Sequence, residues 1–165
     1  DQTIKVSFKK IRNSANFDWD AGTVHSVHKD GEVTLELQPG VLDPVSVGLA
    51  IRAGLFEGVS EWFLPTLDED EIEVDHFRAR EPEWLDTPLG CLRVRRVEKI
   101  RGPESRRYTR TYHAADLEWV PVFVEHGKTG DEALESRIRA LTVDGNPVER
   151  RPSCSEIGRN GDPAG

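Results

Sequence analysis

The stretch from Trp84 to Glu125 constrains the fold more than any other part of this 165-residue chain. Thr87–Pro88–Leu89–Gly90 places proline and glycine where a type I turn favours them, and Gly102–Pro103 breaks the pattern again. Between these turns, apolar and polar residues alternate. Alternating segments joined by tight turns are typical of antiparallel strands. The stretch therefore predicts an antiparallel sheet, and it contains no residue pattern that requires a particular chemistry.

The first part of the chain carries the same type of signal. Thr3 to Phe8 alternates in the manner of a half-buried strand. Further along, Lys29–Asp30–Gly31 separates the alternating segments Thr23–His28 and Glu32–Leu37. An Asp-Gly step between alternating segments is a strong signal for a hairpin. We therefore predict a hairpin that turns at this step.

One segment has the features of a helix. Asp43 suits the N-cap, and Pro44 suits the first helical position. Only Ser46 and Arg52 are polar within Val45–Phe56, and a helix that is apolar around most of its circumference is usually buried. The predicted fold is therefore mainly β, of the α+β class: a single curved antiparallel sheet or half-barrel wrapped around one buried helix.

The domain organisation follows from composition. Residues 1–144 are predicted to form a single β-rich domain, whereas residues 145–165 are rich in Gly, Pro, Arg and Ser and are predicted to be a disordered tail. The chain contains no methionine, and its start, DQTIKVSF, already has the pattern of a strand. We therefore expect it to be the C-terminal portion of a larger domain.

Charge and hydropathy exclude some classes of protein. The formal net charge of −8 argues against general nucleic-acid binding, which requires a basic surface. No apolar run reaches the roughly 18 residues of a transmembrane helix, and the chain as given has no signal peptide. The two cysteines, Cys91 and Cys154, have no metal-ligand spacing. We expect two free thiols, with a disulfide between them as the alternative.

No catalytic, metal or cofactor site is predicted. His25 and His28 are three positions apart on one strand, so they point to opposite faces. The acidic run from Asp68 to Glu73 lies at a predicted hairpin tip and is expected to be solvated. The sequence has no nucleophile elbow and no glycine-rich phosphate loop.

Arginines and aromatic residues on the predicted strands offer the best candidates for binding. Arg93 and Arg95 share one strand face, and Arg110 shares another with Tyr108 and Tyr112. Such rows can bind an anionic head group or a peptide carboxylate. The alternative is a solvated sheet face on which arginines pair with glutamates. The predicted ligand-binding residues are Trp62, Arg95, Tyr108 and Arg110.

Several short motifs, in order along the chain, resemble one bacterial family: Phe17–Gly22, Leu37–Asp43, Leu85–Gly90, Val94–Val97, Thr109–Thr111, Asp116–Leu117 and Val120–Val122. They are similar to the domain-of-unknown-function family 3108, whose members are typically exported envelope proteins of Gram-negative bacteria. The resemblance covers Phe17 to Val143. It implies a signal peptide and further strands upstream, a periplasmic location, and no established catalytic residue. The predicted shape is also similar to that of periplasmic lipoprotein carriers, which is an analogy of fold alone.

The functional hypothesis from the sequence is a non-enzymatic periplasmic binding or assembly domain. Its partner would be a lipid, a lipoprotein or an envelope protein, recognised as an apolar or anionic ligand. One alternative is an envelope hydrolase whose carboxylates are brought together only by the fold. Another is a purely structural domain.

Overall fold

The computed structural model describes residues 14–158 of the chain. Within that range it is mainly β, with one α-helix and antiparallel sheets, which confirms the predicted class. The strand predicted over Thr3–Phe8 lies outside the described residues. The elements are β1 (Ser14–Asp18), β2 (Thr23–His28), β3 (Gly31–Glu36), α1 (Pro44–Phe56), β4 (Glu61–Asp68), β5 (Glu71–Thr87), β6 (Gly90–Ile100), β7 (Arg107–Ala114), a 3-10 helix (Ala115–Leu117), β8 (Val120–Lys128), β9 (Leu134–Arg137), β10 (Thr142–Val143) and β11 (Asn146–Pro147).

The strands form three sheets, with the orders β1-β2-β3, β4-β5-β6-β7-β8-β9 and β10-β11. The prediction of a single curved sheet is therefore not confirmed. Pro39–Gly40 follows β3, and Gly40 has a φ of 79°, so the chain turns before it can enter another ladder. The segment after this turn meets β4 through a parallel bridge between Leu42 and Thr66.

Two compact units are distinguished among the described residues. The first comprises residues 14–47 and 64–74 and contains the three-stranded sheet. Its core is formed by Val24, Val41 and Leu67. The predicted hairpin at Lys29–Asp30–Gly31 is confirmed, because His28 pairs with Gly31 at the end of the β2–β3 ladder.

The second unit comprises residues 48–63 and 75–158. Its β5–β6 hairpin turns where the sequence predicted, with Thr87 paired to Gly90. The core of this unit contains Leu89, Leu92, Val94, Tyr112, Ala114, Val122 and Phe123. The prediction that residues 1–144 form a single domain stays a prediction.

Helix α1 is capped as expected but is not buried on all sides. Val47, Ile51 and Leu55 are buried, whereas Val45 is 75% exposed, Leu49 is 61% exposed and Phe56 is 58% exposed. The prediction of a buried helix is therefore wrong for one side of α1. The residues on that side are apolar in the sequence, but a helix that packs along one side does not bury its opposite side.

The C-terminal segment differs from the prediction. Cys91 and Cys154 form a disulfide, with Cα atoms 4.6 Å apart, so the prediction of two free thiols is wrong. Arg151 N donates to Leu89 O at 2.9 Å, and Cys91 N donates to Pro152 O at 2.8 Å. These bonds hold the segment beside the β5–β6 turn, a contact between distant residues that composition does not reveal. Up to residue 158 the segment thus differs from the predicted disordered tail; residues 159–165 lie outside the described range.

The two edge strands of the six-stranded sheet have distinct features. At one edge, β4 contains Pro65, which has no N–H to donate. Leu42 N donates to Pro65 O, and Leu67 N donates to Leu42 O, both at 2.9 Å. At the other edge, β9 spans only Leu134–Arg137 and is exposed throughout.

Candidate functional site

One face of the β5–β6–β7 region carries an ion-pair network centred on Glu98. Its carboxylate lies 2.6 Å from Arg80 Nη2, 3.2 Å from Arg96 Nε and 3.5 Å from Arg110 Nε. Arg110 Nη1 also lies 3.6 Å from Glu125 Oε2. Each of these arginines therefore has a carboxylate partner within the protein. This face matches the alternative in which arginines pair with glutamates.

The four predicted binding residues do not converge. Arg110 and Tyr108 lie together, with the guanidinium 4.6 Å from the ring centroid. Arg95 lies on the opposite face of the sheet from Arg110. Arg110 pairs with Glu98, and Arg95 is three positions from Glu98 on β6, so its side chain points to the other face. Trp62 is buried, with its indole close to helix residue Gly54. Their role in binding stays a prediction.

A small cleft opens on the face that carries Arg95. Its volume is about 210 Å³. One side is formed by β6 and the other by the corner that follows the 3-10 helix. The lining residues are Pro82, Arg93, Val94, Arg95, Ala115 and Trp119.

The corner holds Trp119 in an unusual backbone conformation. Glu118 has a φ of 53° and Trp119 a φ of 58°, the left-handed region that non-glycine residues rarely occupy. Trp119 N donates to Ala114 O at 2.8 Å, and His113 Nδ1 lies 3.0 Å from Trp119 O. Arg52 Nε donates to Glu118 O at 2.7 Å. Backbone strain of this type persists only where the surroundings hold it, and it is common at binding sites.

The cleft is electropositive. Among the residues that the structure describes, no carboxylate lies within ion-pair distance of Arg93 or Arg95, and Arg95 Nε donates to the main-chain oxygen of Arg80 at 3.1 Å. Behind the corner, burial lowers the pKa of His113; the hydrogen bond to Trp119 O opposes this shift, and the nearby charge of Arg52 adds to it. The imidazole is therefore held neutral, and the positive charge of the cleft comes from its two arginines.

This arrangement is suited to binding an anion. Two guanidinium groups can donate several hydrogen bonds to a carboxylate or phosphate, and the indole offers an apolar surface beside them. None of the six lining residues has a carboxylate, a hydroxyl or a thiol in its side chain. The cleft itself thus supplies no nucleophile and no general base of ordinary type.

Part of this site had a sequence signal and part had none. Arg93 and Arg95 are two positions apart on a strand, which placed them on one face. Trp119 had no such signal, because its position depends on left-handed residues that are not glycines. Arg93 was not among the predicted binding residues, since the sequence does not reveal which arginines lack a carboxylate partner.

A larger cavity, of about 530 Å³, lies within the first unit and is lined partly by Asp43, Asp68 and Glu69. The hydroxyl of Ser46 and the amides of Ser46 and Val45 bond to Asp43 and lower its pKa. This carboxylate is therefore engaged in capping helix α1. It does not provide the raised pKa expected of a general acid in a hydrolase.

Comparison of the chain with protein-family models, with curated proteins and with solved structures finds no match. The resemblance to family 3108 and the periplasmic location stay predictions. Within residues 14–158, no helix is long and apolar enough to cross a bilayer.

Proposed function

We propose that this protein is a non-enzymatic binding domain of the cell envelope, and that it binds an organic anion in the cleft between Arg93, Arg95 and Trp119. One observation carries the proposal. Arg78, Arg80, Arg96 and Arg110 each have a glutamate within 4.0 Å, whereas the two arginines of the cleft have no carboxylate partner among the described residues.

The size of the cleft limits the ligand. Drug-sized ligands occupy pockets of about 300–1,000 Å³. At about 210 Å³ the cleft accepts only the charged end of a larger molecule. The indole of Trp119 favours an apolar portion next to the charged group. The ligand is therefore an amphiphilic anion, such as a lipid phosphate head group or the carboxylate end of an apolar chain.

The disulfide supports a location outside the cytoplasm, since such bonds persist in oxidising compartments such as the periplasm. A carrier that encloses a whole lipid or lipoprotein would require the single curved sheet around a buried helix. One side of α1 is exposed, and the described strands form three separate sheets. Neither feature supports a carrier that encloses its ligand. The charged cleft favours recognition of a head group instead.

The proposal is tested by calorimetric titration with phenyl phosphate and phenylacetate, with benzyl alcohol as the uncharged analogue. Both anions are expected to bind, and benzyl alcohol is not. Arg93→Gln and Arg95→Gln should each weaken binding at least tenfold. Arg139→Gln is the matched control: it removes the same charge from an exposed position outside the cleft and should leave affinity unchanged.

Equal affinity of the wild type and both cleft variants would contradict the proposal, as would equal binding of benzyl alcohol. Flotation with phosphatidylglycerol vesicles, compared with phosphatidylcholine vesicles, separates a lipid head group from a soluble anion. Flotation with phosphatidylglycerol vesicles alone, lost in Arg95→Gln, would identify the ligand as a lipid head group. The envelope location predicts a signal peptide in the upstream coding sequence, and its absence there would contradict that part.

A further inference from the structure

Two hairpin tips in the first unit bring three potential metal ligands together. His28 is the last residue of β2, Asp30 lies in the β2–β3 turn, and Glu69 lies in the β4–β5 turn. Each side chain offers one ligand atom, and these atoms all lie within 4.8 Å of one another. The grouping includes residues more than 35 positions apart, so it arises only from the fold.

The imidazole of His28 gives an independent indication of a ligand. Its Nδ1 atom is buried, although the residue as a whole is partly exposed, and it has no hydrogen-bond partner among the described residues. A buried polar atom without a partner is rare in native proteins, because it loses its bonds to water and gains none in return. A metal ion bound at Nδ1 itself would remove that penalty.

A hydrogen bond joins β2 to the β4–β5 turn. Ser26 Oγ donates to the main-chain oxygen of Glu69 at 2.5 Å. Ser26 and His28 are two positions apart on β2, so they lie on the same face of the strand. Glu69 itself has a φ of 49°, a left-handed turn conformation. The backbone of Glu69 is thus bonded to the same strand that carries His28.

The three ligand atoms are near enough for side-chain rotation to bring them around one ion. Ligand atoms about 2.1 Å from a tetrahedral Zn²⁺ lie about 3.4 Å from one another. Closure from spacings of up to 4.8 Å therefore requires side-chain movements on the order of 1 Å. Asp30 is exposed, and its pair with Lys29, at 3.6 Å, is a surface ion pair of little stability. Its carboxylate can therefore rotate toward the other two ligands.

We propose that His28, Asp30 and Glu69 form a binding site for a divalent first-row transition metal, with Zn²⁺ as the best fit. One imidazole nitrogen and two carboxylate oxygens suit Zn²⁺ and Co²⁺, whereas Mg²⁺ and Ca²⁺ favour oxygen ligands alone. Three protein ligands leave a coordination position for water. The site is separate from the anion cleft and does not depend on the proposed function.

The test uses the untagged full chain, freed of metal by a chelator and titrated with ZnCl₂ and CoCl₂. One equivalent of either ion is expected to bind, to raise the melting temperature and, for Co²⁺, to give visible absorption. MgCl₂ and CaCl₂ at the same concentration should neither bind nor raise the melting temperature. His28→Gln should weaken Co²⁺ binding at least tenfold, and Asp30→Asn and Glu69→Gln should each weaken it as well.

His25→Gln is the matched control, because His25 lies on the opposite face of β2 and contacts Thr34. It should bind Co²⁺ as the wild type does. Thermal melting of each metal-free variant checks that it folds. If His28→Gln does not fold, the loss of Co²⁺ affinity in Asp30→Asn decides the test, because Asp30 is exposed and its substitution should not disturb the fold. The proposal is overturned by absence of Zn²⁺ binding, by Co²⁺ binding that persists in all three ligand variants, or by loss of binding in His25→Gln alone.

Discussion

Cys91 at the start of β6 and Cys154 near the end of the described chain are joined by a disulfide across 63 residues. The bond fixes a segment that has almost no regular secondary structure of its own. Main-chain hydrogen bonds at Leu89 and Cys91 accompany it. The C-terminal segment therefore belongs to the packed structure of the second unit.

Replacement of both cysteines, as Cys91→Ala with Cys154→Ala, is expected to lower the free energy of unfolding by about 2–4 kcal/mol, since the unfolded chain loses a long closed loop. Urea unfolding measures this change. The wild type in dithiothreitol should resemble the double variant, and the untreated protein should show no free thiol after denaturation. A midpoint that is the same with and without dithiothreitol would show that the bond does not form.

Two glycines in helix α1 should respond to alanine in opposite directions. A Cβ at Gly54 would lie 2.4 Å from Trp62 Nε1, whereas a Cβ at Gly48 would meet nothing within 4 Å. Gly54→Ala is therefore expected to destabilise the protein by about 1–3 kcal/mol through overpacking. Gly48→Ala should stabilise it by up to about 1 kcal/mol through helix propensity. Thermal unfolding compares the two, and a stabilised Gly54→Ala variant would show that Trp62 does not pack against this position.

The N-cap of α1 should contribute to stability in a pH-dependent way. Asp43 Oδ1 accepts hydrogen bonds from Val45 N at 2.8 Å and Ser46 N at 3.1 Å. Asp43→Ala is expected to cost about 1 kcal/mol at neutral pH. Because the Ser46 hydroxyl and these amides lower the pKa of Asp43, the contribution is present above its unfolded pKa and is lost as the pH falls through its folded pKa.

Asp43→Asn is the control for this titration, because asparagine caps helices well but carries no charge. Urea unfolding at neutral and acidic pH should show Asp43→Asn close to the wild type at neutral pH and less affected by acid. If Asp43→Ala were as stable at neutral pH as the wild type and Asp43→Asn, the cap would not contribute to the free energy of unfolding.

Protonation of His113 should destabilise the fold. Burial lowers the pKa of this imidazole below its ordinary value of 6.5, so the unfolded state binds a proton more readily than the folded state. Its contribution is therefore present above pH 6.5 and is lost as the pH falls through the folded pKa. In His113→Gln, which keeps a donor for Trp119 O, the free energy of unfolding should depend less on pH. Denaturant midpoints across this range measure the difference; parallel curves would mean that His113 is not held neutral.

Local chemistry accounts for what the sequence predicted correctly. The β2–β3 turn follows from Asp30–Gly31 and its flanking alternation, and the cap of α1 follows from Asp43 and Pro44. Each of these signals acts over a few residues. Short-range preferences of this kind can be read from the chain without knowledge of its partners.

The incorrect and missing predictions concern residues that meet over long separations. The pairing of Cys91 with Cys154 depends on where the C-terminal segment lies, and the grouping of Glu69 with His28 depends on two turns that meet. The uncovered side of α1 is a further example, since composition shows what is apolar but not what lies against it. Arg96 has a carboxylate neighbour in Glu98 and Arg93 has none among the described residues, a difference that depends on the tertiary structure.

The edges of the six-stranded sheet have a consequence for recognition. A sheet can bind an extended peptide by adding it as a further strand, which requires a free row of main-chain donors and acceptors. Pro65 interrupts that row on β4, and the short β9 carries Glu135 and Arg137 on an exposed edge, as in sheets that avoid joining their neighbours. Strand addition, by a peptide partner or by a second copy of the chain, should therefore be disfavoured at both edges of this six-stranded sheet.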